Sequence, residues 1–225
     1  MVYKIGLMGT HNIGKTALGG QVTGTLQSRG LESKFIGEYA TKARDTGLKI
    51  NEGTTFEAQY WILFSQFAEE LRLNREREGH PNYDVLVCDR GPDNYCYLAE
   101  NLKEDPLALS IVLGIMEKAP YSRLYLLPIV NSEISKGTGT RSENINFRTS
   151  MDQAVRSFLN KHDIPYIDLP APIRGDSFRE EWTRIIVNQT LEDFGMPKRL
   201  MIPDSRSLRG LFHSLARILV TGYRR

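Results

Sequence analysis

The chain has 225 residues, 40% of them hydrophobic and 25% charged, and a formal net charge of +2, which suits one large domain with a substantial buried core. Apolar runs such as residues 124–130 are too short for a bilayer span, and polar Thr10, His11 and Asn12 break the pattern of a secretory signal, so a cytoplasmic protein is expected. Cys88 and Cys96 are too few for a disulfide framework and lack partners at metal-ligand spacing.

Short apolar runs alternate with longer helical patterns, which predicts an α/β fold with a parallel sheet covered on both faces. Strands are expected at about 3–9, 33–38, 84–89, 123–130 and 165–169, and helices at about 15–29, 55–78, 105–118, 149–162 and 178–194. Between the fourth strand and fourth helix lies an irregular segment, 131–148, rich in Gly, Ser and Asn and suited to a lid. A breaker-rich joint near 196–204 ends the expected main domain, 1–195. The last thirty residues carry a net +6, and apolar residues recur at three- and four-residue steps from Leu208 to Tyr223. A basic amphipathic helix is expected there.

The first strand runs into Gly9-Thr10-His11-Asn12-Ile13-Gly14-Lys15-Thr16, which satisfies G-x-x-x-x-G-K-[ST] and then opens a helix. That context marks a phosphate-binding loop. Glycines let the backbone wrap an anion, and amides from Gly9 to Ala17 and the positive end of the helix face it. Lys15 would reach the β- and γ-phosphates of ATP or GTP, and the Thr16 hydroxyl would ligate Mg²⁺. His11 is expected to face solvent or contact the helix start.

Other strand ends supply the remaining chemistry, because ligands of such sheets sit beyond the carboxyl ends of the strands. Asp89 closes an apolar strand, where it could hold Mg²⁺ as a Walker-B acid, and Arg90 beside it could grip a phosphate or substrate oxygen. Glu38, after the second strand, has the position of a general base for an attacking hydroxyl and so of a substrate contact. Arg141 and Arg148, near the end of the irregular segment, suit a lid that neutralises transition-state charge. The tetrad Asn160-Lys161-His162-Asp163 spells a guanine-reading motif, but it ends a predicted helix instead of following a strand, and reads as a helix terminus.

With this loop, "EYATKA" at 38–43, "CDRG" at 88–91 and the block from Gly139 to Leu169 in order, the chain resembles the NadR-type P-loop nucleoside kinases over about residues 1–195. The resemblance implies a three-layer P-loop NTPase sandwich of the nucleoside and nucleotide kinase kind, with ATP or GTP as donor and Mg²⁺ as cofactor. "FEAQYW" at 56–61 is similar to the acceptor-side helix of these kinases, which makes Gln59 and Tyr60 candidates for contacting a base or ring. The expected activity is transfer of a γ-phosphoryl group to a small nucleoside- or nucleotide-like acceptor. The alternative is a nucleotide-dependent switch whose helix at 205–223 engages a membrane surface, a partner protein or a second copy. Nucleic acid fits less well, because the basic patch lacks interleaved aromatics.

Overall fold

The computed structural model describes residues 1–11, 13–37, 39–50, 53–77, 79–129, 145–171 and 178–197. Five strands, β1 (Tyr3–Met8), β2 (Ser33–Ile36), β5 (Val85–Asp89), β6 (Arg123–Leu126) and β7 (Ile167–Asp168), form one sheet in the order β2-β5-β1-β6-β7. Every pairing in it is parallel, with Leu7 opposite both Asp89 and Tyr125. Buried on all positions, "VLVCD" of β5 is a near-continuous apolar run, as a central parallel strand requires.

Alternation along the strands divides the core between two faces. On one, Met8, Leu124 and Leu126 pack with α3 (Phe56–Leu73), α4 (Asn94–Asn101), α5 (Pro106–Lys118) and α6 (Ile145–Lys161). Ile36, Leu86 and Cys88 continue that face against α2 (Tyr39–Asp45) and α3. On the other, α1 (Lys15–Ser28) covers the sheet so closely that a Cβ on Gly19 would meet the Phe35 ring. The first half of α7 (Phe178–Asp193) lies beside α1, with Thr183 donating to Gln21. This is the three-layer α/β sandwich expected from the sequence.

The chain divides into two units, Met1–Val187 and Asn188–Arg225. Within the second, the described residues complete α7 and close it with Gly195 at positive φ, whose amide bonds back to Glu192. The predicted helix at 205–223 lies outside the described residues. None of the described helices is long and apolar enough to cross a membrane.

Several boundaries differ from expectation for local reasons. β6 stops at Leu126 instead of 130 because Pro128 has no N–H to extend the ladder, although Leu127 N still reaches Met8 O at 3.0 Å. The helix expected at 55–78 ends at Leu73, capped by Asn74, and a short antiparallel pair, β3 (Glu76–Arg77) and β4 (His80–Pro81), turns at Gly79. Helices α2 and α4 were not anticipated. The first has only seven residues, and the second buries five consecutive positions, Asn94–Leu98, so neither displays an amphipathic stripe.

Candidate functional site

The loop after β1 is built from two backbone positions that only glycine occupies easily. Gly9 has φ 129° and lies so close to β6 that a Cβ would stand 3.0 Å from Leu127 O. Gly14, at φ 85°, caps α1 in the left-handed region. Between them the chain folds inward: Lys15 is only 5% exposed, and its ammonium donates to Gly9 O at 2.8 Å and Thr10 O at 2.5 Å. Ile13 is buried against Gly9, while Ala17 sits exposed on the first turn of α1. Asn12 lies outside the described residues.

His11 departs from expectation. It is buried, with its ring edge-on to Tyr97 of α4 at 5.0 Å and tilted against Phe147 of α6 at 5.5 Å. The loop histidine therefore faces two aromatic rings instead of solvent, because α4 and α6 both converge on the loop. The two rings stand 86 and 136 positions from His11 in the chain, and tertiary packing alone brings them there.

At the end of β5, the Thr16 hydroxyl donates to Asp89 Oδ2 at 2.5 Å. The two side chains named from sequence as Mg²⁺ ligands are thus adjacent, with Asp89 1% exposed. The residue after it, Arg90, has φ 101°, a conformation that costs a bulky side chain on the order of 1–3 kcal/mol unless its surroundings impose it. They do. Arg90 N donates to Leu7 O at 3.0 Å, its carbonyl accepts from Gln66 Nε2 at 3.0 Å, and its guanidinium lies 4.0 Å over the Tyr97 ring and 3.5 Å from Asp93 Oδ2.

Asp93 and Tyr97 were not singled out from the sequence. Although Asp93 precedes α4, its carboxylate does not cap that helix; it turns back to accept from Gly91 N at 2.7 Å and Gly9 N at 3.4 Å. Tyr97 OH donates to Gly9 O at 3.3 Å. Both join the β5–α4 corner to the P-loop. The available signal was an acid two residues beyond Gly91 and just ahead of a helix, a pattern that ordinarily reads as an N-cap.

Arg148 belongs to the first turn of α6 and is 3% exposed, so residues 145–148 are helix and not the end of an irregular lid. Burial depresses its pKa below the usual arginine value. Arg141, the rest of the predicted lid and Glu38 lie outside the described residues. Gln59 and Tyr60 do not join the P-loop group: Gln59 Nε2 donates to Thr54 Oγ1 at 2.9 Å, and Tyr60 OH to Asp105 Oδ2 at 2.8 Å. Burial and that acceptor push the Tyr60 phenol up to about 12, so it stays a donor. A cavity of about 310 Å³ between α4, α5 and α6 is lined by Tyr95, Glu104 and His162 among others, and by none of the residues singled out for chemistry. Asn160 and Lys161 end α6, as expected of that tetrad.

A glycine-bounded loop and buried lysine at the carboxyl end of the central strand, inside a parallel three-layer sandwich, define a P-loop NTPase. The chain belongs to the AAA domain family, whose model matches residues 4–177. No curated protein matches it in sequence. Its fold is similar to NadR protein in complex with NAD and AMP-PNP (TM-score 0.61, 12% identity, covering 89% of this chain and 51% of that one). It is similar also to NadR in complex with NR (TM-score 0.64, 12% identity, 89% and 53%). The deoxyadenosine kinase from M. mycoides with products dCMP and dCDP shares the fold at TM-score 0.56 and 15% identity, over 84% of this chain and 99% of that one. At these identities the likeness is one of fold, and the chain spans about half the length of the NadR chains it matches.

Proposed function

We propose that the chain is a P-loop phosphotransferase that moves the γ-phosphoryl group of ATP or GTP to a hydroxyl or phosphate of a small nucleoside- or nucleotide-like acceptor. The observation that carries this reading is the Thr16–Asp89 hydrogen bond, which sets a hard-oxygen pair next to Lys15 and Arg90 at the mouth of the sheet. The fold shared with a deoxyadenosine kinase supports it. Lys15 exchanges its two loop carbonyls for β- and γ-phosphate oxygens, a trade of neutral acceptors for charged ones that favours the bound state.

The donor set fits Mg²⁺. A hydroxyl and a carboxylate are hard oxygen ligands, and among the described residues no group of three His, Cys, Asp or Glu builds an all-protein cage, in keeping with an ion that retains waters and substrate phosphates. Thr16 and Asp89 would hold it, and it would supply neutralisation of phosphate charge. Arg90 aligns the acceptor or the transferred group, Glu38 takes the proton from the attacking hydroxyl, and Arg141 and Arg148 offset charge on the equatorial oxygens. The phosphoryl group leaves with a new bond to the acceptor oxygen, and the nucleoside diphosphate departs.

The test is a panel of nucleosides and nucleoside monophosphates, scored for acceptor-stimulated release of ADP or GDP, beside calorimetry with a triphosphate analogue and Mg²⁺. A stimulating acceptor is expected. Analogue binding with no stimulation across the panel would favour the nucleotide-dependent switch, and no binding at all would overturn both.

A further inference from the structure

Behind the β5–α4 corner lies a buried polar chain that the proposed chemistry does not use. Gln66, on α3, spends its whole amide there. Nε2 donates to Arg90 O at 3.0 Å and to Glu70 Oε1 at 2.9 Å, and Oε1 accepts from Asn94 Nδ2 at 2.6 Å. Turning the amide over would set its oxygen against a carbonyl and a carboxylate at once, so the orientation is fixed by its neighbours. Glu70 is held in turn by Lys4 Nζ at 2.8 Å and Tyr121 OH at 2.7 Å. Lys4 is itself tied to Ala119 O at 2.7 Å and lies 3.9 Å over the Tyr121 ring.

A satisfied network of this kind is rigid, and its outermost donor grips the carbonyl of the one described residue at this corner with a strained backbone. We infer that Gln66 is a positioning residue: it holds Arg90 in its left-handed conformation and so aims the guanidinium over Tyr97 and toward the P-loop. The inference rests on the phosphotransferase reading for its kinetic consequence but not for its geometric one. Replacing Gln66 by Met keeps length and apolar volume and removes every polar bond of the amide.

The experiment pairs two readouts on the full chain. In ¹⁵N-labelled protein, the Arg90 Nε–H signal, assigned by its loss in Arg90→Ala, is expected to move in Gln66→Met as the guanidinium leaves the Tyr97 ring. The Trp182 indole signal, fixed by its bond to Pro170 O at 2.9 Å, stays in place and reports an intact fold. In acceptor-stimulated turnover, Gln66→Met is expected to lower kcat about tenfold to a hundredfold, with the KM for triphosphate within about twofold. In the Arg90→Ala background the same change should cost less than about twofold, because its route through Arg90 is gone.

An unmoved Arg90 signal, or an equal loss of turnover in both backgrounds, overturns the inference. If the wild type shows no acceptor-stimulated turnover while Gln66→Met displaces Arg90, the positioning role stands and the phosphotransferase reading alone fails. Should Gln66→Met not fold, Asn94→Ser removes the donor to Gln66 Oε1 and is judged by the same Arg90 signal.

Discussion

Two corners of the same sheet edge are built on opposite principles. The β1–α1 corner is local: Lys15 bonds to carbonyls five and six residues before it, and Gly9 and Gly14 supply its two unusual backbone positions. The β5–α4 corner adds distant partners to local ones: Asp93 holds the Gly91 amide and faces the Arg90 guanidinium, while the strained backbone of Arg90 is held by Gln66, 24 positions earlier, and by Leu7 on another strand. One loop carries its own instructions, whereas the other is shaped by what packs around it. A corner of the second kind tolerates little change in its buried partners, since each lost bond leaves a polar group without water.

Breaking the local corner should give the largest effect. Lys15→Ala is expected to lower acceptor-stimulated turnover by at least about three orders of magnitude, as a steady-state assay would record. Removing Asp93, which ties that corner to the β5–α4 corner, should fall mainly on stability. Asp93→Ala takes the carboxylate away from the Arg90 guanidinium and from the Gly9 and Gly91 amides, and should cost about 3–5 kcal/mol of stability by denaturant titration. If Asp93→Ala unfolds no more easily than wild type, the contrast between the corners is lost.

Gly9→Ala sharpens the local side. Its Cβ would press on Leu127 O in a backbone conformation costly for alanine, so a loss of about 1–3 kcal/mol is expected, together with weaker triphosphate binding by calorimetry. His11 joins the two corners through Tyr97. His11→Ala should cost about 1 kcal/mol, and His11→Phe, which keeps a ring between Tyr97 and Phe147, should recover most of it.

The smallest effect serves as a control away from both corners. Asp105 caps α5, accepting from Leu107 N and Ala108 N at 2.9 Å each; the Ala108 amide, then the Tyr60 hydroxyl, hold its carboxyl below the usual carboxylate range. A carboxyl depressed in the folded state adds stability above its unfolded pKa, roughly 3.9, and loses it as pH falls through the lower folded value. Asp105→Asn keeps a capping side chain, so melting curves from pH 6 down to about pH 2 should show a shallower acid-side loss than wild type. An unchanged slope would remove Asp105 from the acid response.

The sheet strands are legible in the sequence because their signals are local. Apolar runs bounded by turn residues marked all five, and the G-x-x-x-x-G-K-T spelling located the loop beside the central one. Where signals are not local, the sequence shows less. Helix α4 shows no stripe because it is buried nearly all round, Phe147 and Arg148 follow directly on a run rich in turn residues, and Asp93 has the sequence position of an ordinary cap.

The parallel α/β order, the phosphate-binding loop and the placement of Asp89 at a strand end follow from the chain's local patterns, since each depends on residues within a few positions of one another. That Thr16 meets Asp89, that His11 turns inward and that Gln66 holds Arg90 are consequences of packing in three dimensions. Those contacts join residues far apart in the chain, and their geometry comes from how helices pack on a sheet, a property no short window of residues contains.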